Sequence, residues 1–208
     1  MTGPLDAVEA RILGSLLEKA KLTPDQYPLT FHALLLSCNQ KTSREPIMSL
    51  DPNTLEKGLR GLEAKGLVER VHGPGSLVPK FRHHFENLLT LASEGEAGAI
   101  CLLLLRGPQT AGELKSRSDR LHPFENAAQV ETLLQGLATR PEGPVVERLP
   151  RQPGQKEARY RHLFGGEAPA GDQQPAPPPR EAGSPLERRV AELERRVRAL
   201  EERPPQTA

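Results

Sequence analysis

The sequence predicts a mainly α fold with small β-hairpins, made from two copies of one unit of three helices and a hairpin. Three observations predict it. GLEAKGLVERV at 61–71 and GLATRPEGPVVERL at 136–149 each read as a helix end, a turn and a short strand. Alternating strand endings follow them in the same order, KFRHHF at 80–85 and RYRHLF at 159–164. Helix-start signals precede them, Asp6 with Glu9 and Ser93 with Glu96, each at capping-box spacing. Matches that recur in a fixed order mark a duplicated unit.

The elements follow in order. Leu5, Val8, Ile12, Leu13, Leu16 and Leu17 give helical periodicity over about 5–20. A second helix is expected over about 30–39. A third begins at Asp51-Pro52, a cap followed by Pro at the first helical position, and carries Leu55, Leu59 and Leu62 on one face. Gly66 is placed to end it. Strands near 67–72 and 77–83 flank Gly73-Pro74-Gly75-Ser76. The second copy predicts helices near 95–105, 110–120 and 125–139, with Thr110 and Glu113 as a further capping box. Its strands are expected near 145–149 and 158–163. Three helices closed by a β-hairpin is the winged-helix variant of helix-turn-helix.

The expected organisation is two tandem winged-helix domains, 1–90 and 91–166, then a Pro-rich linker and a short C-terminal coiled-coil helix. The linker, 167–184, reads EAPAGDQQPAPPPREAGS, has no large apolar residue and cannot bury a core. In the tail, 185–203, Leu186, Val190, Leu193, Val197 and Leu200 recur at heptad spacing, with Val at a and Leu at d. Glu187, Glu194 and Glu201 take e positions, and Arg189, Arg196 and Arg203 take g positions. Opposite charges then meet across a parallel pair and like charges across an antiparallel one, so a parallel homodimer is expected. The competing reading is one amphipathic helix docking on another surface.

The segments LDAVEARILGSLLEK, TPDQYPLT, CNQKTSREP, LLLRGPQTAGEL and RYRHLF resemble the YceH-type family of bacterial proteins over about residues 5–166. CNQKTSREP, Cys38–Pro46, is the most specific piece. The resemblance implies a tandem winged-helix fold with a C-terminal helical tail. It implies no activity, because the family is uncharacterised, and no catalytic residue carries over.

The first copy is longer than the second between its first and third helices, and the extra residues include Asn39 to Leu50. Two readings stand for this loop. Asn39, Gln40, Thr42 and Ser43 satisfy its backbone, or Lys41 and Arg44 make it a binding surface. For DNA, the first copy's third helix offers Asn53, Lys57 and Arg60, with Glu56 and Glu63 mixed in. The second copy's third helix has no basic residue before Arg140 and is a poor reader of base edges. Its wing carries Arg148, Arg151, Lys156, Arg159 and Arg161, beside Glu157, and suits phosphate contact; the alternative is that these alternating strand arginines are solvated or paired with neighbouring acids. Lys115, Arg117 and Arg120 would widen that patch.

Composition narrows the function classes. Lys and Arg total 28 against 27 Asp and Glu, a net charge of +1, which excludes a polybasic coating protein. Aromatics are 3% with no Trp, so stacking platforms for single strands are not expected. Two cysteines make no disulfide framework. The longest apolar run, Ala99–Leu105, is too short for a bilayer. Met1 to Ile12 carries Asp6 and Glu9 and shows no signal-peptide pattern. A cytoplasmic protein is expected. GPGSLVPK lacks the ending of a phosphate-binding loop, and no HExxH, CxxC or GxSxG occurs. His83 and His84 alternate along a strand, so sharing a metal is disfavoured. Cys38 and Cys101 read as small buried hydrophobes. The expectation is a DNA-binding protein, regulatory or architectural, with no catalysis, cofactor or metal. The alternative is an adaptor whose winged helices bind protein.

Overall fold

In the first half, helix α1 (Ala7–Leu22) leads through a single turn at Pro24–Gln26 to strand β1 (Leu29–Thr30) and helix α2 (Phe31–Cys38). Helix α3 (Pro52–Ala64) and the hairpin strands β2 (Val68–Val71) and β3 (Lys80–His83) complete it. The second half runs through α4 (Glu94–Arg106), α5 (Ala111–Ser118), α6 (Ala127–Ala138), β4 (Val146–Arg148) and β5 (Tyr160–His162). These are the elements of the computed structural model, which describes residues 3–73, 77–151 and 153–165. The linker at 167–184 and the tail residues Leu186, Val190, Leu193, Val197 and Leu200 lie outside the described residues. Within the described residues no helix is long and apolar enough to cross a membrane.

Local chemistry sets the helix ends. Asp6 Oδ1 accepts from the Glu9 amide at 2.8 Å, and Glu9 returns the bond to Asp6 N–H at 2.9 Å, a complete capping box. Thr110 and Glu113 repeat it. Ser93 departs from expectation: it accepts from Glu96 N–H at 3.2 Å, but the Glu96 carboxylate reaches Ala92 N–H rather than that of Ser93. Asp51 caps α3 through the amides of Asn53 and Thr54. At the other end Gly66 takes φ +68°, Leu67 N–H reaches Leu62 C=O at 2.9 Å and Gly66 N–H reaches Glu63 C=O at 3.0 Å. This double bond is a Schellman closure, sealed by the buried pair Leu62 and Leu67.

Both hairpins gain a third pairing that the sequence reading did not include. β1 pairs antiparallel with β3, Leu29 opposite Phe81, giving the order β1-β3-β2. Gln109 pairs with Tyr160 in the same way, with bonds of 3.0 and 2.8 Å, beside the β4–β5 hairpin. Each of these residues precedes the threonine that caps the next helix, Thr30 for α2 and Thr110 for α5. The repeat therefore extends to Pro28-Leu29-Thr30 and Pro108-Gln109-Thr110.

The halves share a core. Buried side chains from Leu5 to Tyr160 form one apolar cluster. Helix α1 runs through its middle and is buried on nearly every side from Glu9 to Leu16. Gly14 permits the approach of α4: a Cβ there would lie 3.0 Å from Leu104 Cβ and from Leu105 Cγ. Leu5 N–H bonds to Phe164 C=O at 2.7 Å, and Glu45 N–H to Leu105 C=O at 2.9 Å, so backbone bonds as well as side chains join the two halves.

Candidate nucleic-acid interface

The outer face of α3 follows from its pattern. Leu55, Gly58, Leu59 and Leu62 turn inward, which leaves Asn53, Lys57 and Arg60 exposed. The two acids on this helix are drawn aside by Arg70 of β2. Arg70 Nε donates to Glu63 at 3.1 Å, and a terminal nitrogen of the same guanidinium donates to Glu56 at 3.1 Å. Arg70 also lies 5.0 Å from the centre of the Phe81 ring, which fixes its position. Hydrogen bonds donated to Glu63 and Glu56 outweigh burial and push the Arg70 pKa up. Burial would raise the Glu56 carboxyl, but bonds from Arg70 and Arg60 hold it below its usual range. Arg60 donates to Glu56 at 3.2 Å while its side chain stays 75% exposed. The result is a helix face of one amide and two cations, with Glu63 committed to the hairpin and Glu56 shared between Arg70 and Arg60.

The second hairpin divides its five cations into two groups. Arg159 bonds to Glu113 at 3.2 Å, the same glutamate that closes the α5 capping box. Arg161 bonds to Glu147 directly across the β4–β5 pair at 2.7 Å. Both were expected as phosphate contacts, and both are engaged with carboxylates of their own half. Arg148, Arg151 and Lys156 are exposed and form no ion pair among the described residues. Of the neighbouring cations, Lys115 pairs with Asp119 and Arg117 with Glu113, while Arg120 is exposed. On α6, Tyr160 O–H donates to Glu131 at 2.7 Å, and the exposed positions Gln129, Thr132 and Gln135 are neutral.

The loop from Asn39 to Leu50 carries the main correction. Asn39 clasps both ends of it: its amide nitrogen donates to Leu50 C=O at 2.8 Å and its oxygen accepts from Leu50 N–H at 2.7 Å. Lys41 is exposed, as a binding residue requires. Arg44 is not. Its side chain is fully buried and makes a two-pronged pair with Glu18 of α1, at 3.1 and 2.6 Å. It donates further to the carbonyls of Ser37 and Ser43. Burial pushes the Glu18 carboxyl up, but the bonds and charge of Arg44, with Lys19, more than offset this and hold it below its usual range. Arg44 is thus a strut of the loop and leaves the candidate interface.

A second buried cation escaped sequence reasoning altogether. Arg11 of α1 donates to Cys38 C=O at 3.1 Å, Pro46 C=O at 2.6 Å and Leu105 C=O at 3.5 Å. Cys38 ends α2 and Leu105 lies in the last turn of α4, so one guanidinium meets the negative ends of two helix dipoles. Desolvation pushes its pKa below the usual arginine value, and Arg44 adds to this. The signal in the sequence was the spacing Arg11, Ser15, Glu18, which places three polar residues on one helical stripe. That stripe reads as solvent-facing until the end of α2, the 39–50 loop and α4 supply its partners.

Comparison with known proteins supplies the family. A family model described as "Protein of unknown function, DUF480" matches residues 5–155. The chain belongs to this family. Among DUF480 relatives, a UPF0502 protein of Opitutus terrae is 46% identical over 191 residues, covering 91% of this chain and 83% of its own. A UPF0502 protein of Photobacterium profundum is 48% identical over 163 residues, covering 76% and 73%. The UPF0502 protein YceH of Salmonella arizonae is 43% identical over 199 residues, covering 91% and 92%. The DUF480 match spans the Asn39–Leu50 loop, α3 and the outward cations of the second hairpin as far as Arg151.

Proposed function

We propose that this DUF480 protein is a non-catalytic DNA-binding protein of tandem winged-helix type, in which α3 reads base edges and the second hairpin holds phosphates. The observation that carries the reading is Arg70. By binding Glu56 and Glu63 it removes the two acids that would repel a phosphate backbone from α3. Asn53, Lys57 and Arg60 remain outward, and amide and basic side chains are those that make paired bonds to adenine and guanine in the major groove. Arg148, Arg151 and Lys156 supply a cationic group of the kind that binds backbone without regard to sequence. A non-catalytic role is in keeping with the cysteines: burial pushes the Cys38 thiol up to about 11 and raises Cys101 as well, the opposite of an activated nucleophile.

One observation favours an adaptor instead. Leu36 on α2 is 58% exposed and Ile47 in the adjoining loop 61%, and such side chains suit a protein partner. A mobility-shift assay on mixed genomic fragments separates the two readings. Selective retention of some fragments, with preferences altered by Lys57→Ala with Arg60→Ala, supports the DNA reading. No retention at low salt refutes it.

A further inference from the structure

A polar cavity of about 280 Å³ opens where the end of α1, the 40–43 stretch of the loop and Arg120 beyond α5 come together. Its walls carry Lys19, Lys41 and Arg120 as cations and Thr23, Thr42 and Ser43 as hydroxyls. Leu22 is its one apolar residue, so it lacks the greasy lining that holds drug-like or lipid ligands. Its one carboxylate, Glu18, is already spent on Arg44 and Lys19, at 2.6 and 3.4 Å. The acid next in sequence to Arg120 is engaged as well: Asp119 pairs with Lys115 at 3.6 Å. Lys41 and Arg120 therefore face one small space with no ion-pair partner among the described residues, and Lys19 adds a third cation that shares the Glu18 carboxylate with Arg44, beside hydroxyls that donate to oxygen anions.

We infer that this cavity binds a small phosphate-bearing molecule, held between Lys19 and Lys41 of the first half and Arg120 of the second. The cavity's volume and its scarcity of apolar surface favour a compact, multiply charged anion over a nucleoside. The loop is suited to present Lys41, because Asn39 clasps its ends and Arg44 pins its middle to Glu18. A ligand here bridges the two halves and does not depend on the DNA reading, since neither α3 nor the outward cations of the second hairpin takes part.

The test is isothermal titration of the full chain with pyrophosphate in low-salt buffer. One-to-one binding is expected, weakened at least tenfold by Lys41→Ala and by Arg120→Ala, and left unchanged by Arg148→Ala with Arg151→Ala. Lys41 and Arg120 are exposed, so both variants should melt like the wild type, and melting curves check this. A duplex competitor separates a free phosphate from a DNA backbone as its source: pyrophosphate binding should persist with duplex present. The proposal is overturned if pyrophosphate gives no saturable heat at millimolar concentration. It is equally overturned if the hairpin variant loses as much binding as the cavity variants, or if Lys41→Ala and Arg120→Ala impair only duplex binding.

Discussion

Arg44→Ala would leave a carboxylate stranded. The Glu18 side chain is 9% exposed and that of Arg44 fully buried, so the pair has traded its water for two bonds at 3.1 and 2.6 Å. Removing one partner of a buried pair costs about 3–5 kcal/mol when the remaining charge is uncompensated; Lys19, 3.4 Å from Glu18, stays as a weaker partner and places the loss toward the lower end of that range. The Ser37 carbonyl, bonded at 3.1 Å to Arg44 Nε, loses its donor too, although the two losses share one site and do not simply add. A loss of this size is a large share of a typical domain's 5–15 kcal/mol. The pH dependence gives a sharper signature. In the wild type the Glu18 pKa is lowered, so its contribution is present above the unfolded carboxylate pKa and is lost as pH falls through the folded value. Without Arg44 the largest remaining influence is burial, which favours the neutral acid. The stability gap between Arg44→Ala and wild type should therefore narrow as pH falls from 7 toward 4. Urea unfolding midpoints across that range measure it. A variant within about 0.5 kcal/mol of wild type at pH 7, the range of ordinary surface sites, would refute the buried pair and return Arg44 to the surface.

Further outcomes follow from other residues. Arg11→Leu should lower stability by at least about 2 kcal/mol, since it strips a donor from three carbonyls at about 1–3 kcal/mol for each buried group left unsatisfied; an unchanged melting temperature would contradict this. Burial lowers the His162 pKa to about 4, so between the unfolded value near 6.5 and that point the unfolded chain takes up a proton that the fold refuses. Stability should fall by up to about 3 kcal/mol over that interval, at 1.36 kcal/mol per unit, and His162→Gln should flatten the difference in urea midpoints between pH 7 and pH 4.5. Deleting 185–203 should convert a dimer to a monomer in sedimentation at tens of micromolar without changing the circular dichroism melting transition; a wild type that sediments as a monomer would contradict the heptad reading.

Helix starts were legible because their chemistry is local. Asp6, Asp51 and Thr110 cap the helices they precede, and the sequence spacing states as much. The Gly66 closure was legible for the same reason. The third pairings, Leu29 with Phe81 and Gln109 with Tyr160, were not, because a pairing of one or two residues has no periodicity to read. The Pro-x-Thr repeat was the available clue. The candidate interface divided along the same line. Lys57, Arg60, Arg151 and Lys156 lie outward, as expected from residues far from apolar partners. Arg44, Arg159 and Arg161 are candidate contacts in the sequence, yet each meets a carboxylate that tertiary structure brings to it, Glu18, Glu113 and Glu147 in turn, and for the two strand arginines this is the paired alternative. Arg11 was overlooked for a related reason: its partners are carbonyls, which no side-chain pattern announces.

The salt dependence of duplex binding tests the DNA reading most directly. The account predicts that log K falls linearly with log salt, and that replacing Arg148, Arg151 and Lys156 with Ala flattens the slope by about 2.7, at 0.9 for each lost phosphate contact. It also predicts that Arg159→Ala, whose guanidinium is engaged with Glu113, changes the slope by less than one contact's worth. A slope unaltered by the triple replacement, or no duplex binding at low salt, would contradict it.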